Sequence, residues 1–219
     1  MSDSRPLPIP AASRKGCGPG RPKDPAKRDA ILHAAARLFV DLGYAGTSMD
    51  AVAAAAGVSK LTVYSHFGDK EGLFNAAVHH TCSAMVPDTL FQPDLKAPLR
   101  EQLLQIGRAF FALVHSPAAL ATQRVMLDPS TDGHIRQLFW QAGPSRMTAT
   151  FVSFLRQHIQ SGRLAIADVD LAASQFFCLV KGELLTNMIH GLTGGDAPAA
   201  VDAHVTAAVD LFLRAHTPR

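Results

Sequence analysis

Residues 59–70 carry a high density of side chains that donate hydrogen bonds or bear positive charge. They are Ser59, Lys60, Thr62, Tyr64, Ser65, His66 and Lys70. Hydroxyl, ammonium and imidazole groups bind phosphate oxygens and the edges of bases, whereas a carboxylate is repelled by a nucleic-acid backbone. Residues 60–67 contain no Asp or Glu. This composition is typical of a helix that faces DNA.

The spacing of small residues upstream predicts how such a helix would be held. Gly57 lies four residues after Ala53 and six before Val63, which is the spacing of a helix-turn-helix. Ala53 lets two helices approach, Gly57 adopts a turn conformation that a β-carbon disfavours, and Val63 is the predicted buried anchor. The outer face is then expected to contain Lys60, Leu61, Thr62, Tyr64, Ser65 and His66.

Apolar residues at helical spacing, separated by capping residues and by Gly or Pro, predict helices along the whole chain. In the first part, helices are expected to begin after Asp24, after Thr47 or Ser48, after Ser59 and after Asp69. In the body they are expected over about 97–115, 117–127, 132–142, 145–161, 168–191 and 197–215. No alternation typical of strands occurs outside the short stretch 163–168, so the predicted fold is all-α with about ten helices.

Positive charge is concentrated at the beginning of the chain. Residues 1–70 contain ten Lys and Arg against six Asp and Glu, a net charge of +4, whereas residues 71–219 carry −1. Residues 1–24 are rich in Pro, Gly, Ser and basic residues and are expected to form a disordered basic arm. This charge fits either a module that binds a polyanion or a solvated tail. An adaptor that binds membranes or RNA is disfavoured because the arm lacks an amphipathic helix.

The segment TSMDAVAAAAGVSKLTVYSHFGDKEGLF (residues 47–74) resembles the DNA-binding signature of the tetracycline-repressor (TetR) family of transcriptional regulators. Its core matches the pattern GVSKxTxYxHFxxKExL from Gly57 to Leu73 at every fixed position. The stretch SGRLAIADVDLAASQFF, with a later GEL, is similar to a subgroup with an AefR-like C-terminal domain. The resemblance implies an N-terminal three-helix helix-turn-helix DNA-binding domain over 25–70, followed by a helical ligand-binding and dimerisation domain over 71–219.

The resemblance also implies which residues approach double-stranded DNA. They are Thr47, Lys60, Thr62, Tyr64, His66 and Lys70, and the polar face adds Ser59, Leu61 and Ser65 as candidates. Tyr64 and Lys70 would hold phosphates, and positions 60–62 would face bases. Leu61 replaces the Gly or small residue common in the family, so it either contacts a thymine methyl group or alters helix placement. Arg21, in PGRPK, resembles a hook for the minor groove, and the alternative is non-specific attraction to phosphates.

The apolar body is expected to provide a dimer interface and a ligand pocket. The last two helices carry more apolar residues than one packed side needs, so they are the predicted interface of a homodimer. Polar residues in apolar surroundings are candidates for a pocket that binds an unknown small-molecule effector. They are Gln105, Arg108, His115, Gln123, Arg124, Trp140, Glu183 and Asn187. Binding there would favour a spacing of the reading helices that mismatches a palindromic operator, which predicts a repressor released by its ligand.

An enzyme of helical-bundle type, with an acid–base or metal site in the body, is the alternative. The sequence has no HExxH, no GxSxG and no paired Glu-x-x-His, and His79 and His80 point to different helix faces. We therefore expect no catalytic activity, no cofactor and no metal site.

Cysteine usage and hydropathy give two further expectations. Cys17, Cys82 and Cys178 form no CxxC or Cys/His cluster, and the latter two lie in apolar helical patterns that predict buried thiols. No apolar run reaches membrane-spanning length and the first residues are polar, so a cytoplasmic protein without a membrane partner is expected.

Overall fold

The computed structural model describes residues 24–192 and 198–218. Within these ranges the chain forms ten α-helices and one 3₁₀ helix and contains no strand, which confirms the all-α prediction. The α-helices are α1 (Pro25–Gly46), α2 (Met49–Ala55), α3 (Lys60–Phe67), α4 (Lys70–Met85), α5 (Leu99–Val114), α6 (Pro117–Leu127), α7 (Gly133–Ala142), α8 (Pro144–Gln160), α9 (Val169–Ile189) and α10 (Pro198–His216). None of these helices is by itself long and apolar enough to cross a membrane, although α5 and α6, bent by 65°, pass that test as a pair on length and composition alone.

The predicted starts of the first four helices are confirmed by their caps. The side chains of Asp24, Ser48, Ser59 and Asp69 each accept a hydrogen bond from a backbone N–H of the first turn, at 2.7–3.2 Å. Gly43 interrupts α1 with a φ of 71°, a backbone conformation that other residues rarely adopt. Each cap satisfies an N–H group that the start of a helix leaves unpaired. The connections between these four helices are only a few residues long.

A small core joins α1, α2, α3 and the first half of α4. Its members with no exposed surface are Ile31, Leu32, Ala35, Val52, Val63 and Leu73. The guanidinium of Arg28 lies over the ring of Phe67, 5.6 Å from its centroid. Because Leu73 and Ala77 of α4 belong to this core, it extends past the domain boundary expected between residues 70 and 71.

A larger core rich in phenylalanine holds α5, α8, α9 and α10 together. The rings of Phe110, Phe151, Phe154, Phe176, Phe177 and Phe212 contact one another with centroids 4.5–5.8 Å apart. A short 3₁₀ helix, Asp88–Phe91, was not predicted and brings the ring of Phe91 to 6.2 Å from that of Phe151. Aromatic pairs at such distances add to the stability that area burial provides.

A break divides α9 into two segments, although the sequence predicted one continuous helix over 168–191. Gly182 has a φ of 56° and a ψ of −168°, so the helical backbone is interrupted there. His204 of α10 donates from Nε2 to the carbonyl of Val180 at 3.0 Å, and its ring fills the space that a side chain at residue 182 would need. Arg124 of α6 donates to the last two carbonyls of α9, both at 3.1 Å. Neighbouring helices thus satisfy carbonyls that the break and the helix end leave without helical partners.

His158 is fully buried in the larger core, and neither of its ring nitrogens has a hydrogen-bond partner. Its ring centroid lies 4.6 Å from that of Phe154. Burial, with an additional effect of the charge on Arg163, lowers the pKa of His158 below its ordinary value of 6.5. The folded protein therefore holds the uncharged imidazole, whereas the unfolded chain takes up a proton more readily.

We expect His158→Leu to reduce the acid sensitivity of the fold. As the pH falls through 6.5, the unfolded state binds a proton that the folded state excludes, so stability present at higher pH is lost. This residue contributes a slope of at most roughly 1.4 kcal/mol per pH unit. Burial also lowers the pKa values of His79 and His216, so the stability of the variant should still decline in part as the pH falls.

Urea unfolding at several pH values between about 7.5 and 5 measures this slope. The free energy of unfolding should decline less steeply for His158→Leu than for the wild type. His190→Leu, at an exposed position, should keep the wild-type decline. Parallel declines for His158→Leu and the wild type would show that His158 is not the group excluded from protonation.

Candidate nucleic-acid interface

α3 presents one exposed face that is polar apart from a single leucine. Val63 is its only buried residue, and Lys60, Leu61, Tyr64 and Ser65 are all exposed. At about 100° of rotation per residue these four positions fall within an arc of roughly 140° around the helix axis, so their side chains share one broad surface. Leu61 is 78% exposed, which is too much for it to influence how α3 packs. Its exposure leaves it available to an external partner, so a contact with a thymine methyl group and an effect on how α3 is placed against DNA both stay predictions.

The hydroxyl groups near the start of α3 are partly used within the protein. Ser59 Oγ accepts a hydrogen bond from the N–H of Thr62 at 3.2 Å and lies 2.8 Å from Thr62 Oγ1. Ser65 Oγ donates to the carbonyl of Thr62 at 2.8 Å. Because a hydroxyl has one hydrogen and two lone pairs, Ser65 in this conformation offers a DNA partner only an acceptor. Among the exposed side chains of α3, those of Lys60 and Tyr64 keep N–H or O–H donors for an external partner.

Lys70, the first residue of α4, is held beside an aromatic ring that the sequence reasoning missed. Its Nζ lies 4.4 Å from the ring centroid of Tyr44 and 3.4 Å from the carbonyl oxygen of Ala45. Tyr44 is fixed in turn by the rings of Phe39 and Phe74, whose centroids are 5.9 and 5.2 Å away. Partial burial lowers the pKa of Lys70 and raises that of Tyr44. In the sequence, the one feature that could have indicated this role of Tyr44 is its position directly after the glycine that interrupts α1.

Lys60 has a partner that the sequence reasoning also missed. Its Nζ donates to Oδ2 of Asp50, in the first turn of α2, at 2.8 Å. Ten residues separate the two in the chain, and no helical spacing relates them, since they lie on different helices. Only the turn at Gly57 brings the first turn of α2 beside the start of α3. The interface therefore contains an acidic group that the composition of residues 60–67 did not reveal.

Thr47 was predicted to approach DNA, but its side chain points into the protein. It is 2% exposed, and its Oγ1 lies 2.8 Å from the carbonyl oxygen of Gly43 and 3.0 Å from that of Leu38. The interruption at Gly43 leaves carbonyls of α1 without helical partners, and the Thr47 hydroxyl is a hydrogen-bond donor for such a carbonyl. The predicted side-chain contact with DNA is therefore corrected to a structural role in the turn between α1 and α2.

The remaining candidates lie at the border of this surface or outside the described part of the chain. His66 is half-buried, and its ring centroid lies 5.9 Å from that of Phe67. Arg21, the predicted minor-groove residue, lies outside the described residues, as does most of the expected basic arm.

The polar residues predicted to line a ligand pocket do not converge on one cavity in residues 24–192 and 198–218. Gln105, Arg108 and Glu183 are exposed, and Arg108 forms an ion pair with Asp202 at 2.7 Å. Trp140 is 59% exposed. Side-chain nitrogens of His115, Gln123 and Arg124 are bonded to backbone carbonyls, and Asn187 is half-buried. The helical pattern identified these residues as polar among apolar neighbours, but it did not show which side of each helix faces inward.

α9 and α10 share an exposed apolar face that contains a hollow of about 310 Å³. The hollow is lined by Gln175, Cys178, Leu179, Leu211, Phe212, Ala215 and His216.

Cys178 was predicted to be buried but is exposed, because it lies on the outer side of α9. Cys82 is half-buried, and burial raises its pKa to about 11. Other apolar residues of α10, including Val205, Ala208 and Val209, lie in the chain's own core, so only part of the apolar surface of the last two helices is exposed.

Comparison with protein families assigns both parts of the chain to one family. Residues 31–77 match a family described as "Bacterial regulatory proteins, tetR family". Residues 101–218, more than half of the chain, match one described as "AefR-like transcriptional repressor, C-terminal domain". Both matches agree with the resemblance seen in the sequence.

Individual relatives agree with this assignment. The HTH-type transcriptional activator FasR of Mycolicibacterium smegmatis is 33% identical over 93 residues, which is 42% of each chain, so the match spans less than half of that relative. The solved structure of the flavonoid-responsive regulator FrrA is 34% identical, has a TM-score of 0.69 and covers 88% of this chain and 98% of its own. A TetR-family regulator from Mesorhizobium loti is 29% identical, with a TM-score of 0.68 and coverage of 88% and 97%. The chain thus belongs to the TetR family and is a DNA-binding transcriptional regulator with an AefR-like C-terminal domain.

Proposed function

We propose that the chain is a homodimeric repressor that binds a palindromic operator through α3 and is released by a small-molecule effector. The observation that carries this proposal is the exposed face of α3, held in place by the buried side chain of Val63 next to a large apolar body. The proposed role involves no catalytic step, and the protein would act on DNA in the cytoplasm.

The arrangement of α2 and α3 supports a division of labour between base and phosphate contacts. In helix-turn-helix proteins the N-terminal residues of the second helix contact base edges, while the first helix crosses the backbone. Lys60 and Leu61 are the first two residues of α3, so they are proposed to reach the bases. Tyr64 and Lys70 lie further along the chain and are proposed to hold phosphates, which fix the register of the protein on the duplex.

A dimer is proposed because one short reading helix recognises only a half-site, and two-fold symmetry places two such helices one turn of DNA apart. The exposed apolar face of α9 and α10 supports this interface. Leu171 and Leu211 are 54% and 46% exposed, and the hollow between the helices offers a site for side chains of a second copy.

The proposed effector is a largely apolar organic molecule. The body matches a domain described as that of a transcriptional repressor, and the similar regulator FrrA is described as flavonoid-responsive. We therefore expect flavonoids, added as a panel to the preformed protein–DNA complex, to release the DNA. Unchanged binding at the solubility limit of every compound would contradict this ligand class.

Wild-type protein is expected to shift the promoter region next to its own gene in preference to a random duplex, with an affinity that falls as salt rises. Lys70→Ala should weaken binding to both duplexes about equally. It should lower the slope of log affinity against log salt by about 0.9, because one phosphate contact is lost.

Lys96→Ala is the matched control, since it removes an exposed cation from the loop before α5 and should leave the slope unchanged. If the wild type binds neither this region nor any other genomic fragment selectively, the proposed function is wrong. A Lys70→Ala variant with lost selectivity but unchanged affinity would contradict the phosphate role alone.

Leu211→Glu is expected to convert the dimer into monomers, because it places a charge in the apolar hollow between α9 and α10. Leu127→Glu introduces the same charge at a position of α6 that is 66% exposed and should leave the dimer intact. Sedimentation velocity at micromolar concentration distinguishes the two states. A dimeric Leu211→Glu variant, or a monomeric wild type, would count against this interface.

A further inference from the structure

The ion pair between Lys60 and Asp50 connects two helix starts on the proposed DNA-binding surface. Lys60 is the first residue of α3, and Asp50 lies in the first turn of α2. Caps from Ser59 and Ser48 fix both turns, so the 2.8 Å contact joins two defined points of the backbone. The hydrogen bond that Lys60 donates to Asp50 raises the pKa of Lys60, which keeps the ammonium charged. Both side chains remain more than half exposed, at 55% and 64%, so a ligand can reach them.

This pairing changes what Lys60 offers to DNA. A lysine gains affinity from a phosphate mainly because its unpaired charge releases a counterion from the DNA. A lysine and a carboxylate that remain paired carry no net charge together. The carboxylate also repels a phosphate that approaches the pair. The ammonium nevertheless has three N–H donors, of which Asp50 uses one. Guanine presents two uncharged acceptors, N7 and O6, on its major-groove edge, and these are not repelled by the carboxylate.

Lys70 provides a contrast on the same surface. Its ammonium rests over the ring of Tyr44 and near a backbone carbonyl, and neither partner carries a negative charge. In the described part of the chain Lys70 forms no ion pair of the kind that joins Lys60 to Asp50, although Asp69 and Glu71 adjoin it in the sequence. The two lysines are chemically identical, and only their neighbours differ.

We propose that Asp50 is a positioning residue that directs Lys60 to the edge of a guanine instead of a phosphate and so contributes to sequence preference. This inference rests on the proposed function, since it concerns how the same surface discriminates between DNA sequences. Asp50 lowers affinity for DNA of any sequence and leaves the hydrogen bonds of Lys60 available for a base.

The test measures the salt dependence of binding to two duplexes. One duplex is of random sequence, and the other is selected by the wild-type protein from a random library. Asp50→Asn keeps an oxygen acceptor but removes the charge, so Lys60 becomes free to hold a phosphate. On the random duplex its slope should be steeper than that of the wild type by about 0.9, so that its affinity falls roughly 3.5-fold further between about 50 and 200 mM salt. The ratio of selected to random affinity should fall.

Asp170→Asn is the matched control. Asp170 also lies in the first turn of a helix and faces an arginine, Arg156, at 3.7 Å, but it is on the body. It changes the net charge of the chain by the same amount and should leave the slope unchanged. A steeper slope for both variants would attribute the effect to net charge and overturn the role of Asp50.

The double variant Asp50→Asn/Lys60→Gln separates the two possible partners of Lys60 without a change in local net charge. If the wild-type pair reads a base, the double variant keeps the wild-type slope on the random duplex and loses a guanine preference at one position of each half-site. If Lys60 instead holds a phosphate in the wild type, the slope of the double variant falls by about 0.9 and the proposal is wrong.

The outcomes also distinguish this inference from the proposed function. A wild type that binds no duplex selectively overturns the proposed function itself. Selective wild-type binding, together with the same slope for Asp50→Asn and the wild type, overturns only the role of Asp50. Circular dichroism checks that the variants fold, and Asp50→Ser gives the same neutralisation should Asn disturb the first turn of α2.

Discussion

The packing of Val63 into the small core is the interaction on which the proposed function depends. α3 has eight residues and would not be stable as an isolated helix, because helices of that length form few hydrogen bonds for the entropy they cost. Val63 is its only fully buried residue, the half-buried Phe67 also packs against the small core, and Ser59 caps the first turn. Because so little of α3 is buried, its residues Lys60, Leu61, Tyr64 and Ser65 remain exposed to a partner. The direction of Lys60, Leu61 and Tyr64 therefore depends on the buried residues against which α3 packs.

α4 connects this small core to the larger one and gives the body a route to the reading helix. Leu73 and Ala77 in its first half pack with α1 and α2, whereas Cys82 and Met85 in its second half pack against the phenylalanine-rich core. A displacement of the body would therefore be passed through one continuous helix to the start of α4, where Lys70 lies. Interfaces of this kind convert small shifts into discrete rearrangements because packed cores do not deform continuously. The proposed response to an effector has this physical basis.

Local features were predictable from the sequence, and features that depend on long-range placement were not. Caps, glycine turns and helix periodicity act within a few residues, which is why the starts at Ser59 and Asp69 and the burial of Val63 could be read from the chain. The inward direction of Thr47, the pairing of Lys60 with Asp50 and the seat of Lys70 over Tyr44 all arise where separate helices meet. The break at Gly182 depends on His204, which lies on another helix and fills the space of the missing side chain. The predicted ligand residues do not meet in one cavity for the same reason: helical periodicity shows which residues share a face of a helix, but not which way that face points in the body.

The central claim is that two copies of α3 read two half-sites related by a two-fold axis. Hydroxyl-radical footprinting of the wild-type protein on the promoter region next to its own gene tests it most directly. We expect protection in two segments whose centres are about one helical turn, roughly 10–10.5 base pairs, or a multiple of it apart, with sequences related by inverted repetition. A single protected segment, protection without inverted repetition, or no protection at protein concentrations that saturate the shift would contradict it.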